Sequence, residues 1–345
     1  MKVALCSSFV PFINGGARFI VDWLAAELQK RGHQTETVWL PFVEDPDIMF
    51  RQMMAYRMID LAQTADKLIA FRPPAYVIPH PNKTLWFIHH FRTFYDLWES
   101  PHCRMETNAQ MTAFRNRLID ADTTAIGEAK RVFTNSRVVA DRLRRFNGID
   151  GEVLYPPIYQ PERYWAGPYG DDIVSVCRVE PHKRQELLVE AMRFTRSGVK
   201  LRLYGLSHDG KYAEKLRKLV LQHKLQDKVI IDHRWISEEE KVEILARALA
   251  VVYAPVDEDS YGYPTLEGAH AERPIVTTHD AGGTLEFVED SVNGFICDPT
   301  PESLGSAFDA LFEDRDRTVR LGRAARARID GLRIDWSHVV ESVLA

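Results

Sequence analysis

Short apolar runs alternate along this chain with longer stretches whose apolar residues recur every three or four positions. Lys2–Ser7, Thr35–Trp39, Lys67–Phe71, Thr84–Ile88 and Arg131–Asn135 are such runs in the first half; Ile173–Val176, Lys200–Tyr204, Val229–Asp232, Val251–Ala254 and Ile275–Thr278 follow in the second. Runs this short and this apolar read as strands covered on both faces. Between them, Arg18–Arg31, Met111–Ala129, Val138–Phe146, Gln185–Arg193, Tyr212–His223 and Ser237–Ala248 carry the helical period, and Asp47–Gln63 is read the same way. Strand and helix in strict alternation predict an α/β protein with parallel sheets joined by right-handed crossovers.

The alternation stops once. Tyr155-Pro156-Pro157-Ile158-Tyr159, with Pro161 close behind, stiffens the chain and ends regular structure, so a domain boundary falls there. A first domain over 1–157 and a second over 158–325 follow, and 345 residues give each enough chain for its own core. The formal net charge of −5 leaves no general nucleic-acid footprint. Four cysteines lie far apart, at no metal spacing, which suits a reducing cytoplasm. Met1–Ile13 is interrupted by Ser7 and Ser8 and lacks a cleavage site, and no run reaches membrane-spanning length. A cytoplasmic protein, or one peripheral to the inner face of a membrane, is expected.

In open parallel sheets ligands bind at the carboxyl ends of the strands. The stretch Val251–Glu289 concentrates chemistry there. Its strand leads into the acidic loop Asp257-Glu258-Asp259, then Tyr261-Gly262 and a helix opened by Pro264, which places Glu267 within the first turns. After Ile275–Thr278, Ala281-Gly282-Gly283-Thr284 leads into a further helix expected from about Leu285, so its amides and the helix dipole would face an anion. Arg178 and Lys183 flank another strand-to-helix turn, a fork and a point charge able to converge on one diphosphate. In the first domain, Gly15-Gly16 opens a helix and could cradle a phosphate or admit a sugar, and His89-His90 stands at a strand's carboxyl end. Phe91–Trp98 reads equally as an acceptor-lining aromatic segment or a core flap. Arg137, Arg142, Arg144 and Arg145 read as a solvated helix face or, less simply, as a contact for anionic lipid.

An acid, seven residues and a glutamate ahead of a Gly-Gly turn resemble the signature of the retaining GT-B glycosyltransferases of family 4, with Asp259 where the family usually has glutamate. Arg178 and Lys183 match that family's R-x-x-x-x-K. The resemblance implies two Rossmann-like domains facing a central cleft, with a final segment, 326–345, crossing back to the first. It implies a nucleotide-diphosphate sugar, GDP- or UDP-linked, on the second domain and a carbohydrate or glycolipid acceptor on the first. Donor contacts would come from Gly15, Gly16, Arg178, Lys183, Tyr261, Gly262, Glu267, Gly282, Gly283 and Thr284. Of these, Glu267 would hold the ribose; Asp259 would take the sugar hydroxyls, and His89 would face the reacting sugar. Phosphate charge is expected to be met by side chains, with neither metal nor cofactor, because the resemblance assigns the Asp257–Asp259 loop to the sugar. A GT-B epimerase or phosphorylase, or a non-catalytic sugar-nucleotide-binding subunit, is the alternative.

Overall fold

The computed structural model describes residues 1–9, 16–99, 103, 105–207 and 210–345. These form two compact units, one of residues 1–156 with 335–345 and one of residues 157–334. In the first unit β1 (Lys2–Phe9), α1 (Gly16–Lys30), β2 (Gln34–Pro41), α2 (Pro46–Arg57), β3 (Lys67–Ala70), β4 (Lys83–Phe87), α3 (Ala109–Gly127), β5 (Arg131–Thr134), α4 (Arg137–Asn147) and β6 (Glu152–Val153) follow in order. Their six strands make one parallel sheet in the order β2-β1-β3-β4-β5-β6. The two-residue period of the strands sorts their apolar side chains onto both faces. Val3, Leu5, Ile69, Phe71, Trp86 and Ile88 enter one core with α1, while Ala4, Cys6, Leu68, Ala70, Leu85 and Phe87 enter the other with α2 and α3.

The second unit contains β7 (Asp172–Val176), α5 (Gln185–Ala191), β8 (Lys200–Tyr204), α6 (Lys211–Gln222), β9 (Val229–Asp232), α7 (Glu238–Arg247), β10 (Ala250–Val252), α8 (Tyr263–His270), β11 (Ile275–Thr278), β12 (Gly294–Cys297), α9 (Pro301–Glu313) and α10 (Arg315–Gly331). Its parallel sheet runs β12-β11-β10-β7-β8-β9. Strands β7, β10 and β11 are therefore neighbours, and the loops at their carboxyl ends are brought to one stretch of sheet edge.

Three expectations are corrected. Helix α2 ends at Arg57 rather than Gln63, because the Met58 amide bonds back to Met54 and Ala55 and the chain turns. The Gly-Gly turn does not open an α-helix near Leu285: Gly283–Glu286 is a single 3-10 turn, too short to lend a dipole. The closing segment does not begin at 326, since α10 runs through to Gly331 within the second unit; only Asp335–Ala345, with α11 (Trp336–Leu344), groups with the first. There Trp336, Val339, Val340 and Val343 join the core around α1, and the Lys67 ammonium donates to the carbonyls of Leu344 and Ala345, both at 3.3 Å.

A polar network lies inside the first unit. The Asp122 carboxyl accepts from the Tyr95 hydroxyl at 2.7 Å, Tyr95 packs on His90 with ring centres 4.2 Å apart, and the His90 Nε2–H donates to Asn147 Oδ1 at 2.9 Å. Burial pushes Asp122 up to about 7, which the hydroxyls of Tyr95 and Tyr76 offset only in part, while burial pulls His90 down to about 4. The two groups act in opposite directions on stability. Between pH 4 and 7 the folded chain keeps a proton on Asp122 that the unfolded chain releases, so that contribution is lost as pH rises; His90 is neutral when folded and charged when unfolded, so its contribution grows. Asp122→Asn should therefore make the urea midpoint rise more steeply from pH 5 to 7 than in wild type. Parallel profiles would show that Asp122 is not the buried acid described.

Candidate active site

Arg184 organises the edge of the second sheet. It sits in the left-handed region, φ 54°, between a 3-10 turn at Pro181–Lys183 and α5, so its side chain reverses direction relative to Lys183. Its Nε donates to the Ala254 carbonyl at 2.8 Å and its Nη2 to the Pro255 carbonyl at 2.6 Å. Both Nη atoms grip Asp280, at 2.7 and 2.8 Å, and Nη2 also reaches Thr278 Oγ1 at 2.6 Å. One planar fork thus binds the loop after β7 to the ends of β10 and β11. Burial raises the Asp280 carboxyl, but the Arg184 and Thr278 hydrogen bonds outweigh it and hold the group below its ordinary range.

Lys183 points the other way and is buried, with 8% of its side chain exposed. Its Nζ donates to the Tyr253 hydroxyl at 2.6 Å and pairs with Glu258 Oε2, to which the Tyr253 hydroxyl donates at 2.8 Å. Burial would raise Glu258; the Lys183 charge and the two donors overcome it, so the carboxyl lies below its usual value. Gly262, at φ +74°, has no room for a side chain because a Cβ there would overlap the Tyr253 ring. Arg178 is exposed and makes no ion pair among the described residues. The Gln185 amide fixes its backbone, donating to the Arg178 carbonyl at 2.9 Å.

The glycine pair has a packing role that the sequence did not reveal. Glu258 and Gly282 form a parallel bridge, and the Gly283 amide donates to the Glu258 carbonyl at 2.8 Å, so that amide is already used. A Cβ on Gly282, φ +64°, would lie 2.5 Å from the Glu258 carbonyl oxygen, and one on Gly283 would lie 2.6 Å from Ser260 Cα. Thr284 is fully buried, and its Oγ1 has no hydrogen-bond partner among the described residues. Such an orphan hydroxyl beside the turn is a polar demand that an entering anion or water would meet.

Glu267, only 6% exposed, is paired with Lys241 of α7 at 2.6 Å, and Lys241 also binds Glu238. Tyr164 bonds to Glu267 as well, and burial together with that carboxylate raises the phenol well above its ordinary value. Tyr261 is 1% exposed and its ring meets Phe287 edge-on, which supports the loop. Asp259 is half-buried in the same loop. A groove of about 770 Å³ runs beside the Lys183 turn, lined by Pro181, Arg184, Leu187, Tyr212 and Lys215 among others.

In the first unit, His89 Nδ1–H donates to the His90 carbonyl at 2.7 Å, and Nε2 accepts from Arg72 Nε at 3.2 Å. These two bonds define one neutral tautomer, and burial with the Arg72 charge pulls its pKa down to about 4. Both ring nitrogens are committed, so a sugar hydroxyl must replace Arg72 to reach this imidazole. Arg92 pairs with Asp96 at 2.7 Å and Arg142 approaches the same carboxylate, while Arg144 holds Asp150. Gly16 is the exposed first residue of α1; Gly15 lies outside the described residues.

Residues 170–328 match the family Glycosyl transferases group 1. The matched stretch falls within the second unit, residues 157–334. Human alpha-1,3/1,6-mannosyltransferase ALG2 is 27% identical over 236 residues, covering 59% of this chain and 55% of that protein. A GDP-mannose-dependent alpha-(1-6)-phosphatidylinositol monomannoside mannosyltransferase of Mycobacterium tuberculosis is 28% identical over 160 residues, 45% of this chain and 41% of that one. The chain thus spans about half the length of these relatives. Anabaena HepE, solved with UDP and glucose, superposes over 100% of this chain and 98% of its own with a TM-score of 0.72 at 17% identity. The fold is GT-B, with one Rossmann-like unit on each side of the Pro156-Pro157 boundary.

Glu258, Tyr253, Arg184, Gln185, Lys241 and Tyr164 were missed from the sequence. The basic doublet Lys183-Arg184 before a helix and the unbroken acidic triplet at Asp257 were the visible signals. Replacing Arg184 by Met removes donors from Asp280 and two carbonyls, each charge-assisted bond contributing about 1.5–3 kcal/mol. Arg184→Met should lower the unfolding free energy by roughly 2–3 kcal/mol, discounted for the partial exposure of Asp280. An unchanged denaturation midpoint would remove Arg184 from its organising role.

Proposed function

We infer that this chain is a glycosyltransferase moving a sugar from a nucleotide-diphosphate sugar to an acceptor hydroxyl, with retention of anomeric configuration and without a divalent metal. The observation that carries the reading is the gathering, at the joined ends of β7, β10 and β11, of Arg178, Lys183, the Gly282–Thr284 turn and the buried carboxylate of Glu267 within a group 1 domain. Arg178 and Lys183 answer the negative charge that develops on the departing diphosphate. Glu267, steadied by Lys241, takes the ribose hydroxyls. In the transfer the bond from the anomeric carbon to the diphosphate oxygen breaks, the acceptor oxygen bonds to that carbon on the same face, and the acceptor proton passes to the leaving phosphate. Asp259 holds sugar hydroxyls. The first unit binds the acceptor, with neutral His89 exchanging Arg72 for the sugar.

GDP-mannose is the first donor to test, since two relatives are mannosyltransferases by name and one is GDP-mannose-dependent. A carbohydrate or glycolipid acceptor is proposed on the same basis. No helix among the described residues is long and apolar enough to cross a membrane; cytoplasmic action, at most peripheral to the membrane, is the corresponding proposal.

Incubating the chain with GDP-mannose or UDP-glucose and following donor turnover tests this directly. Turnover should persist in EDTA, and the product formed from an α-linked donor should be α-linked by NMR. Glu267→Ala should weaken nucleotide binding about tenfold or more, as loss of a charge-assisted contact implies. Metal-dependent turnover, a β-linked product, or undiminished nucleotide affinity in folded Glu267→Ala would each contradict the corresponding assignment.

A further inference from the structure

The lysine that the proposed function gives to the donor phosphate already holds an anion. Lys183 is enclosed, at 8% side-chain exposure, and its charge is met by Glu258, whose side chain keeps 27% exposure. The Tyr253 hydroxyl closes the triangle, accepting from Lys183 at 2.6 Å and donating to Glu258 at 2.8 Å. A nucleoside diphosphate arriving here meets a neutral pair rather than a cation.

The surroundings determine which partner yields. The Glu258 backbone is pinned on both sides, its amide donating to the Ala281 carbonyl at 3.3 Å and its carbonyl accepting from Gly283 at 2.8 Å. Its side chain is the more exposed of the two, 27% against 8% for Lys183, so the carboxylate is the partner placed to yield by side-chain rotation. Lys183 has no such freedom, being confined against the Tyr253 ring with its Nζ 5.0 Å from the ring centre. A phosphate oxygen placed where Glu258 Oε2 now lies would inherit both donors, the ammonium and the phenol.

We propose that Glu258 is an internal competitor for Lys183: its carboxylate occupies the lysine in the empty chain, the donor diphosphate displaces it, and its return favours release of the product nucleoside diphosphate. This rests on the reading of the site as one for a nucleotide-diphosphate sugar. Glu258 is then an affinity-setting residue that trades ground-state binding for release. It is neither a sugar ligand nor a scaffold acid.

The test is calorimetric titration of the full chain with GDP and UDP, with guanosine and uridine as uncharged controls. Glu258→Gln keeps the size and a hydrogen-bonding oxygen but removes the charge. It should tighten the diphosphate that wild type binds by about tenfold, the scale of one charge-assisted contact, and leave the nucleoside affinity unchanged. Asp257→Asn, which removes a neighbouring charge from the same loop, should change diphosphate affinity by less than about twofold, since exposed charges are screened. A urea midpoint for Glu258→Gln confirms that the titrated protein is folded. Equal or weaker diphosphate binding by folded Glu258→Gln overturns the proposal, as does an equal gain in Asp257→Asn, which would assign the effect to the field of the loop. An unfolded Glu258→Gln overturns it too, by making the carboxylate a structural requirement. Failure of wild type to bind either GDP or UDP is a separate result, and it removes the functional reading beneath the proposal.

Discussion

A buried cation must be paired, and that constraint shapes the edge of the second sheet. Two consecutive cations, Lys183 and Arg184, leave the loop after β7 in opposite directions because the backbone turns left-handed between the 3-10 turn and α5. Arg184 spends its donors on carbonyls and on Asp280, so β10 and β11 end at fixed positions. Lys183 requires a carboxylate, and Glu258 supplies it from a loop that the Gly282–Gly283 turn holds by backbone bonds. The Lys183–Glu258 pair, the Tyr253 hydroxyl and the Gly282–Gly283 turn therefore share one network of contacts, in which local packing and candidate chemistry meet.

The first unit shows the same economy with neutral groups. His89 and His90 are adjacent in sequence but turn to opposite tasks, one held by Arg72 and a carbonyl, the other stacked on Tyr95 and bonded to Asn147. Burial keeps both imidazoles uncharged, and it keeps a proton on Asp122 nearby over most of the acidic range.

Much of the fold was legible because periodicity is a local signal. The strands Lys67–Ala70 and Ile275–Thr278 are buried along their whole length, as strands of a parallel sheet covered on both faces are. Pro156-Pro157 marked the boundary for an equally local reason. The site was legible only in part, because its partners are set by the third dimension. Glu258 meets Lys183 across 75 positions, and Asp280 meets Arg184 across 96. No spacing rule reaches that far. The helix expected after Gly283 failed for a related reason: Gly-Gly before apolar residues is equally the signature of a turn that must let another backbone approach, and the bridge to Glu258 is that approach. Tyr261, expected at the donor from its place in a motif, is buried with its ring beside Phe287.

Diffraction from crystals of the full chain grown with GDP decides whether Glu258 yields Lys183 to a diphosphate. The diphosphate is expected within hydrogen-bonding distance of Lys183 Nζ and the Tyr253 hydroxyl, with the Glu258 side chain rotated away, Arg178 turned to the phosphates and Glu267 on the ribose. A GDP bound elsewhere, or bound with Lys183 still holding Glu258, would contradict it.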